Sequence, residues 1–365
     1  MATSFSHAAE VSVECIAHSC FVVRSRGGTE LVIDPFNSHT WLGYSFPAGM
    51  TADAVLISHP HFDHDASYYI GGFPLVLRRP GSYSIGDVCI HGLEGRHGDP
   101  LRKGYGDAFG KTNTVWLIET DGLMLAHLGD NGPLDPSLVQ RLREVDVLML
   151  AVDSEEHVLT HHQVEEILRL ISPRIAVPMH YVIPSLAEAV ADLGPVEPWL
   201  EGRANVHRLP GHRLILDAAD LPEPGRITVF QHSPAVRPWS DEFRHAMANH
   251  GRAMAITGKE PEEAAELLRR AVELHPHAIL LWRSLADLLL ESGRVEAAKD
   301  VLERSLGVAG ADDWWQVSKA RLRLGQIYER LGATSRAVAQ YHHVLRESSI
   351  LQFRETAESR LKELD

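Results

Sequence analysis

The chain has 365 residues, 44% of them hydrophobic, and its 35 basic and 49 acidic side chains leave a formal net charge of −14. That length supports two domains with separate cores, and the apolar fraction excludes a disordered chain. The acidic balance and the lack of a basic block speak against nucleic acid as a partner, because neutralising backbone phosphates supplies most of such affinity.

No run approaches the ~20 apolar residues of a membrane span. Residues 1–7 have neither a basic n-region nor an apolar h-region, so the expectation is a cytoplasmic protein. The three cysteines, Cys15, Cys20 and Cys89, match no zinc or redox spacing. They read as buried small apolar groups, kept reduced.

From the amino end, residues 16–24 and 31–36 read as a hairpin closed by the Asp34-Pro35 turn. Ala54-Val55-Leu56-Ile57 is a strand, followed directly by Ser58-His59-Pro60-His61-Phe62-Asp63-His64. Imidazole nitrogen ligates zinc, iron or manganese, and a carboxylate adds charge for a second ion. His59 and His61, two apart, point the same way in an extended segment. Asp63 and His64 come next, at the start of an expected helix over residues 65–69, and can turn toward a neighbouring position. One loop thus offers ligands to two adjacent ions. That is a catalytic design, since structural zinc sites usually close with cysteines.

Further strand-like runs end in similar residues. Val88-Cys89-Ile90 precedes His97 in a glycine-rich loop, and His97 is preferred to His91, which sits on the strand edge. Leu123-Met124-Leu125-Ala126 leads into His127-Leu128-Gly129-Asp130, and Ile175-Ala176-Val177-Pro178-Met179 into His180-Tyr181. Each candidate comes after an apolar, β-branched-rich run, as strand-end loops require. His127 alternates away from Asp130 and reads as structural. Asp34 reads as ordering the metal loop through hydrogen bonds rather than as a ligand. His161 and His162 begin a helix and read as surface or capping residues.

The H-x-H-x-D-H loop with these later residues in order resembles the metallo-β-lactamase superfamily, over about residues 11–217. The opening histidine-containing strand and Asp-Pro pair look like the branch holding L-ascorbate-6-phosphate lactonase and N-acyl-phosphatidylethanolamine phospholipase D. The resemblance implies an αβ/βα four-layer sandwich of the α/β class. It implies that His59, His61 and His97 hold one divalent ion, that Asp63, His64 and His180 hold a second, and that Asp130 bridges them. Two such ions would share a hydroxide and polarise the substrate oxygen, with Asp63 also taking the proton. Zinc is the first choice of metal, and manganese and iron suit the same ligands. The substrate would be a small lactone or phosphodiester. Candidate substrate-binding residues are His18, Arg96, Lys103 and Tyr181. His18 reads equally as a site-lining or a hydrogen-bonded core residue. The loop carrying Arg96, Arg102, Lys103 and Lys111 reads as an anion-binding segment or as an ordinary surface connection.

After Asp217 the chain changes character. Residues 221–238 carry proline-rich breaks around a strand-like run at 226–230, and read as a linker or a last strand. Residues 239–365 are helical with an internal repeat. Trp282, Ala286, Leu289, Gly293, Ala298 and Leu302 recur as Gly325, Tyr328, Gly332, Ala337 and Tyr341, with a less regular first copy around Arg252, Ala264 and Ala271. This resembles tetratricopeptide repeats, an all-α array in which small residues let paired helices approach. The expected domains are 1–220 for the hydrolase and 239–365 for the repeats. The repeats would serve a protein partner or self-association.

Two other classes compete with the hydrolase. One is an iron-dependent oxidoreductase on the same fold, although flavodiiron proteins carry glutamate where His61 stands and no flavin domain follows. The other is a repeat scaffold with an inactive hydrolase domain, against which the retention of every ligand speaks.

Overall fold

The computed structural model describes residues 10–38, 42–98, 112–153, 158–187, 193–308, 314–348 and 351–364. The chain forms two compact units, Met1–Pro238 and Trp239–Asp365.

The first unit is built on β-strands. They are β1 (Val11–Ala17), β2 (Cys20–Arg24), β3 (Glu30–Ile33), β4 (Tyr44–Ser45), β5 (Ala54–Leu56), β6 (Leu75–Leu77), β7 (Gly81–Ile85) and β8 (Val88–Arg96). Next come β9 (Thr112–Thr120), β10 (Leu123–His127), β11 (Val147–Ala151), β12 (Ile175–Met179), β13 (Val206–Arg208), β14 (Arg213–Leu216), β15 (Arg226–Val229) and β16 (Arg237–Pro238). Helices α1 (Pro136–Leu142), α2 (His161–Ile171), α3 (Pro184–Ala187) and α4 (Glu197–Leu200) join the later ones.

Two sheets stack face to face. The first runs β14-β1-β2-β3-β5-β6 and the second β13-β15-β12-β11-β10-β9-β8-β7, while β16 and β4 form a small ribbon. The strand period of two decides which side chains meet. Phe21 and Val23 point into the inter-sheet core with Trp116, Ile118 and Met149, whereas Val22 points to the opposite face. On the second sheet Val115, Leu117, Leu148 and Leu150 face outward under Leu138, Leu142, Val164 and Ile167 of α1 and α2. The strands β10, β11 and β12 are parallel neighbours, and β11 and β12 are buried throughout, which is why they read as unbroken apolar runs.

The layer over the first sheet is thin. It includes Phe36, Leu42, Phe46 and Ile70 from irregular segments, Tyr44 of β4, and Leu186 from the four-residue α3. The 226–230 run is an internal strand, since β15 lies between β12 and β13.

Three local expectations fail. The glycine-rich segment leading to His97, expected as a loop, is strand β8 as far as Arg96, because it pairs with β9. The helix expected over residues 65–69 is one 3-10 turn, Ser67–Tyr69, because Asp65 is committed to Arg78 at 2.8 Å and the chain must turn back to β6. Cys89 is exposed, because it alternates outward between the buried Val88 and Ile90.

The second unit is helical: α5 (Asp241–Ile256), α6 (Pro261–Leu274), α7 (Ile279–Glu291), α8 (Val295–Val308), α9 (Trp314–Arg330), α10 (Thr334–Glu347) and α11 (Leu351–Leu364). Consecutive helices pack as pairs, and Gly293 and Gly332 fall between the helices of their pairs in the same register. The small residues of the repeat, Ala264, Ala286, Ala298 and Ala337, are fully buried. Gly325 shows why: a Cβ there would lie 2.6 Å from the Tyr341 ring, which is itself fully buried. Gly325→Val should therefore destabilise the helical unit by about 2 kcal/mol or more, near the middle of the usual overpacking range. Urea unfolding followed by circular dichroism measures it, and an unchanged midpoint would show that α9 and α10 do not depend on this close approach.

Candidate metal centre

The site assembles at one edge of the sandwich from the ends of β1, β5, β8, β10, β11 and β12. The loop after β5 is fixed by Asp34, buried and in the left-handed region at φ 45°. Its carboxylate accepts hydrogen bonds from Ser58 N at 2.7 Å, Ser58 Oγ at 2.5 Å and His64 Nδ1 at 2.8 Å. Because the Ser58 hydroxyl donates to Asp34, its lone pair accepts from His59 Nδ1 at 2.9 Å. Both Nδ1 atoms thus carry a proton, which turns the Nε2 atoms of His59 and His64 toward the centre, where His59 offers a lone pair and His64 can hold either a second proton or a cation.

Asp130 is presented by a tight turn. Gly129 adopts φ 55°, and a Cβ there would stand 2.4 Å from Ser58 Cβ, so only glycine fits. His127 holds the same turn, donating from Nε2 to Ser19 O at 2.9 Å and accepting Gly129 N–H at 3.1 Å on Nδ1. With both nitrogens engaged it is a structural residue. Gly98 N donates to Asp130 O and Gly132 N to Arg96 O, each at 2.9 Å, which stitches the end of β8 and His97 to this turn.

The seven candidate ligands come together. The ligand atoms of His59, His61, His97 and Asp130 lie within 4.8 Å of one another, and so do those of His18, Asp63, His64 and His180. Asp130 faces both groups: Oδ2 is 3.6 Å from His59 Nε2, 3.6 Å from His97 Nε2 and 3.4 Å from His180 Nε2, and Oδ1 is 3.3 Å from His64 Nε2. These spacings are long for hydrogen bonds. They lie at or a little above the roughly 3.3–3.4 Å edge between donors bound at 2.0–2.1 Å to a tetrahedral ion. His59 Nε2, His64 Nε2 and Asp130 Oδ1 are buried without hydrogen-bond partners. Nitrogen and carboxylate donors, converging and unsatisfied, fit divalent cations.

Charge in the cluster shows the same need. Burial, with neighbouring imidazoles, pushes His59 well below its usual range and His61 to about 4. His64 goes the other way: burial opposes its charge, but Asp130, Asp63 and Asp34 raise it to about 10. His180 is likewise raised by Asp130 and Asp153 despite burial. Asp63 and Asp130 are held well below the carboxylate range, against burial, by His64 and His180 respectively among their closest imidazoles. Protons on His64 and His180 stand where cationic charge belongs.

Among the candidate substrate residues, His18 joins the second group, with Nε2 3.3 Å from Asp63 Oδ2. Tyr181 lines a cavity of about 350 Å³ together with His18, Val196, Arg208, Phe230 and His232. The Arg96 side chain is exposed, and its charge acts on Asp135 at the start of α1. Arg102, Lys103 and Lys111 lie outside the described residues. The helix-opening role near His161 belongs to Thr160, whose side chain accepts from Gln163 N in a capping box.

Sequence reasoning missed Asp153. It is buried, and its Oδ2 lies 3.5 Å from His180 Nδ1, the outer partner expected of a metal-binding imidazole. Its signal was available: the first acid past the buried strand β11, at the same strand edge as the other candidates.

Residues 12–180 match the model of a beta-lactamase superfamily domain, and residues 255–318 match a tetratricopeptide repeat. A metal-dependent hydrolase of Myxococcus xanthus is 28% identical over 194 residues, covering 45% of this chain and 68% of the relative. One of Carboxydothermus hydrogenoformans is 27% identical over 194 residues, covering 47% of this chain and 84% of the relative. A solved structure from Thermotoga maritima, named for the metallo-β-lactamase superfamily, is 28% identical, with a TM-score of 0.48 over 61% of this chain and all of its own.

Proposed function

Starting from a metallo-β-lactamase superfamily domain followed by tetratricopeptide repeats, we propose that this protein is a dinuclear metal-dependent hydrolase of a small ester-type substrate, a lactone or a phosphodiester. One observation carries the reading: the two carboxylate oxygens of Asp130 face imidazoles of both groups. Ions bound there would supply Lewis acidity and a water nucleophile active near neutral pH. His59, His61, His97 and Asp130 would hold one, and Asp63, His64, His180 and Asp130 the other. Asp63 would take the proton that water gives up.

The cavity beside His18 supports a small substrate with an apolar body, held along Val196 and Phe230, while its charged lining is mixed, Arg208 lying 3.7 Å from Glu197. Metal analysis combined with a panel of phosphodiester, lactone and thioester substrates tests the reading. Turnover of an ester-type member with close to two metals per chain supports it, and turnover by metal-free protein overturns it.

The same proposal treats residues after Pro238 as an independent repeat domain for a protein partner or self-association, since all candidate ligands precede that point. A chain ending at Pro238 should fold and bind metal. Loss of cooperative unfolding in that truncation would show that the two units depend on a common core.

A further inference from the structure

We infer that His18 is a fourth protein ligand of the second group, making the two metal positions unequal. The inference rests on the dinuclear reading and adds to it the order in which the ions are held. Three imidazole nitrogens surround one carboxylate oxygen: Asp63 Oδ2 is 3.3 Å from His18 Nε2, 3.5 Å from His64 Nε2 and 4.0 Å from His180 Nε2. The His18 ring lies 4.4 Å from that of His180 and 5.3 Å from that of His64, centroid to centroid. A side chain that served only to hydrogen-bond Asp63 would need one good contact. Here four donors converge on one buried point.

The backbone is built for this placement. The pairing of β1 with β2 slips between Cys15 and Ala17, and His18 sits at φ 56° in the tight turn next to it. Non-glycine residues are strained in that region and keep it where the surroundings impose it. His180 N donates to His18 O at 3.4 Å, and His127 Nε2 holds the neighbouring Ser19 O. The second group therefore has His18, Asp63, His64 and His180, all buried, with Asp130 shared. The first has three imidazoles with Asp130, and its His61 is partly exposed. The second ion should bind first and leave last, while the first exchanges with solvent.

The test uses the full chain with 15N-labelled histidine, loaded with 113Cd. Wild type should show six imidazoles with a cadmium-coupled nitrogen, and release to a chelator should be biphasic. His18→Asn removes the imidazole and keeps a residue that tolerates the left-handed backbone. It should lose one coupled resonance, and affinity for the last ion should fall by more than about 100-fold, beyond the cost of losing an outer hydrogen-bond partner. Two bound ions with five coupled imidazoles in wild type would overturn the inference and leave the dinuclear reading standing. Fewer than two ions in wild type would overturn both. Because the wild-type count decides alone, a poorly folding variant does not weaken the test.

Discussion

Replacing Asp130 by alanine is expected to abolish turnover of whichever ester-type substrate the chain accepts, with kcat at least about 1,000-fold lower, and to lose at least one of the two ions. A thousandfold loss corresponds to about 4 kcal/mol of barrier. The size comes from position: Asp130 is the carboxylate that faces His59 and His97 on one side and His64 and His180 on the other. On the dinuclear proposal its removal would take a ligand from both positions, and it leaves buried imidazoles with less negative charge among them. Elemental analysis of the purified variant beside kinetics makes the measurement. Full metal content with full activity would remove Asp130 from the site. Loss of activity with both ions retained would keep Asp130 in catalysis but deny it the bridging place.

Metal removal should produce a second large effect, tied to pH in one direction. In the metal-free protein His64 is pulled down by burial but lifted to about 10 by Asp130, Asp63 and Asp34, so it carries a proton at pH 7.5. Cations must displace that proton, so loading at pH 7.5 should release protons and affinity should rise with pH. The folding consequence has the matching sign. A raised His64 contributes stability that is complete below its unfolded value of about 6.5 and is lost as pH climbs through about 10. The depressed Asp63 and Asp130 contribute above about 3.9 and are lost as pH falls. The metal-free chain therefore weakens toward alkaline pH, where the metal-bound chain gains most. Each ion at a thousand times its Kd adds about 4 kcal/mol. The gap in melting temperature with and without chelator should be small near pH 5.5 and wide near pH 9. An equal gap at both would exclude displacement of protons from this cluster.

Much of the candidate site was legible because its residues end strands. The buried parallel strands β11 and β12 announce themselves as apolar runs, and the residues just past such a run, at a sheet edge, are open to chemistry. That logic reached His59, His61, Asp63, His64, His97, Asp130 and His180. It did not reach Asp153, although that residue follows β11 as the other candidates follow their strands, because the nearby Glu155 and Glu156 made the acid look like part of a polar loop. Nor could it rank His18 between site and core, because its direction depends on the slip after Cys15 and a left-handed turn. Local composition misled in two places. Asp65, Ser67 and Tyr69 suggested a helix, yet Asp65 answers to Arg78, thirteen positions on. Cys89 was judged by residue type, where strand alternation should have decided. The repeat was legible because its small residues are fixed by helix contact, as Gly325 against Tyr341 illustrates.

The pairing of β1 with β14 carries a consequence for how the chain comes to exist. Val11 lies opposite Leu216 and Glu14 opposite Arg213, some two hundred positions apart in synthesis order. At about 5–20 residues per second, the first strand waits roughly 10–40 s for its neighbour to leave the ribosome. During that interval an apolar strand has one side unpaired, the situation that invites wrong association. β15 arrives later still and must insert between β12 and β13. The helical unit has no such delay, since its helices pair with their immediate successors. Nascent chains stalled before residue 213 should thus be the protease-sensitive, chaperone-dependent ones.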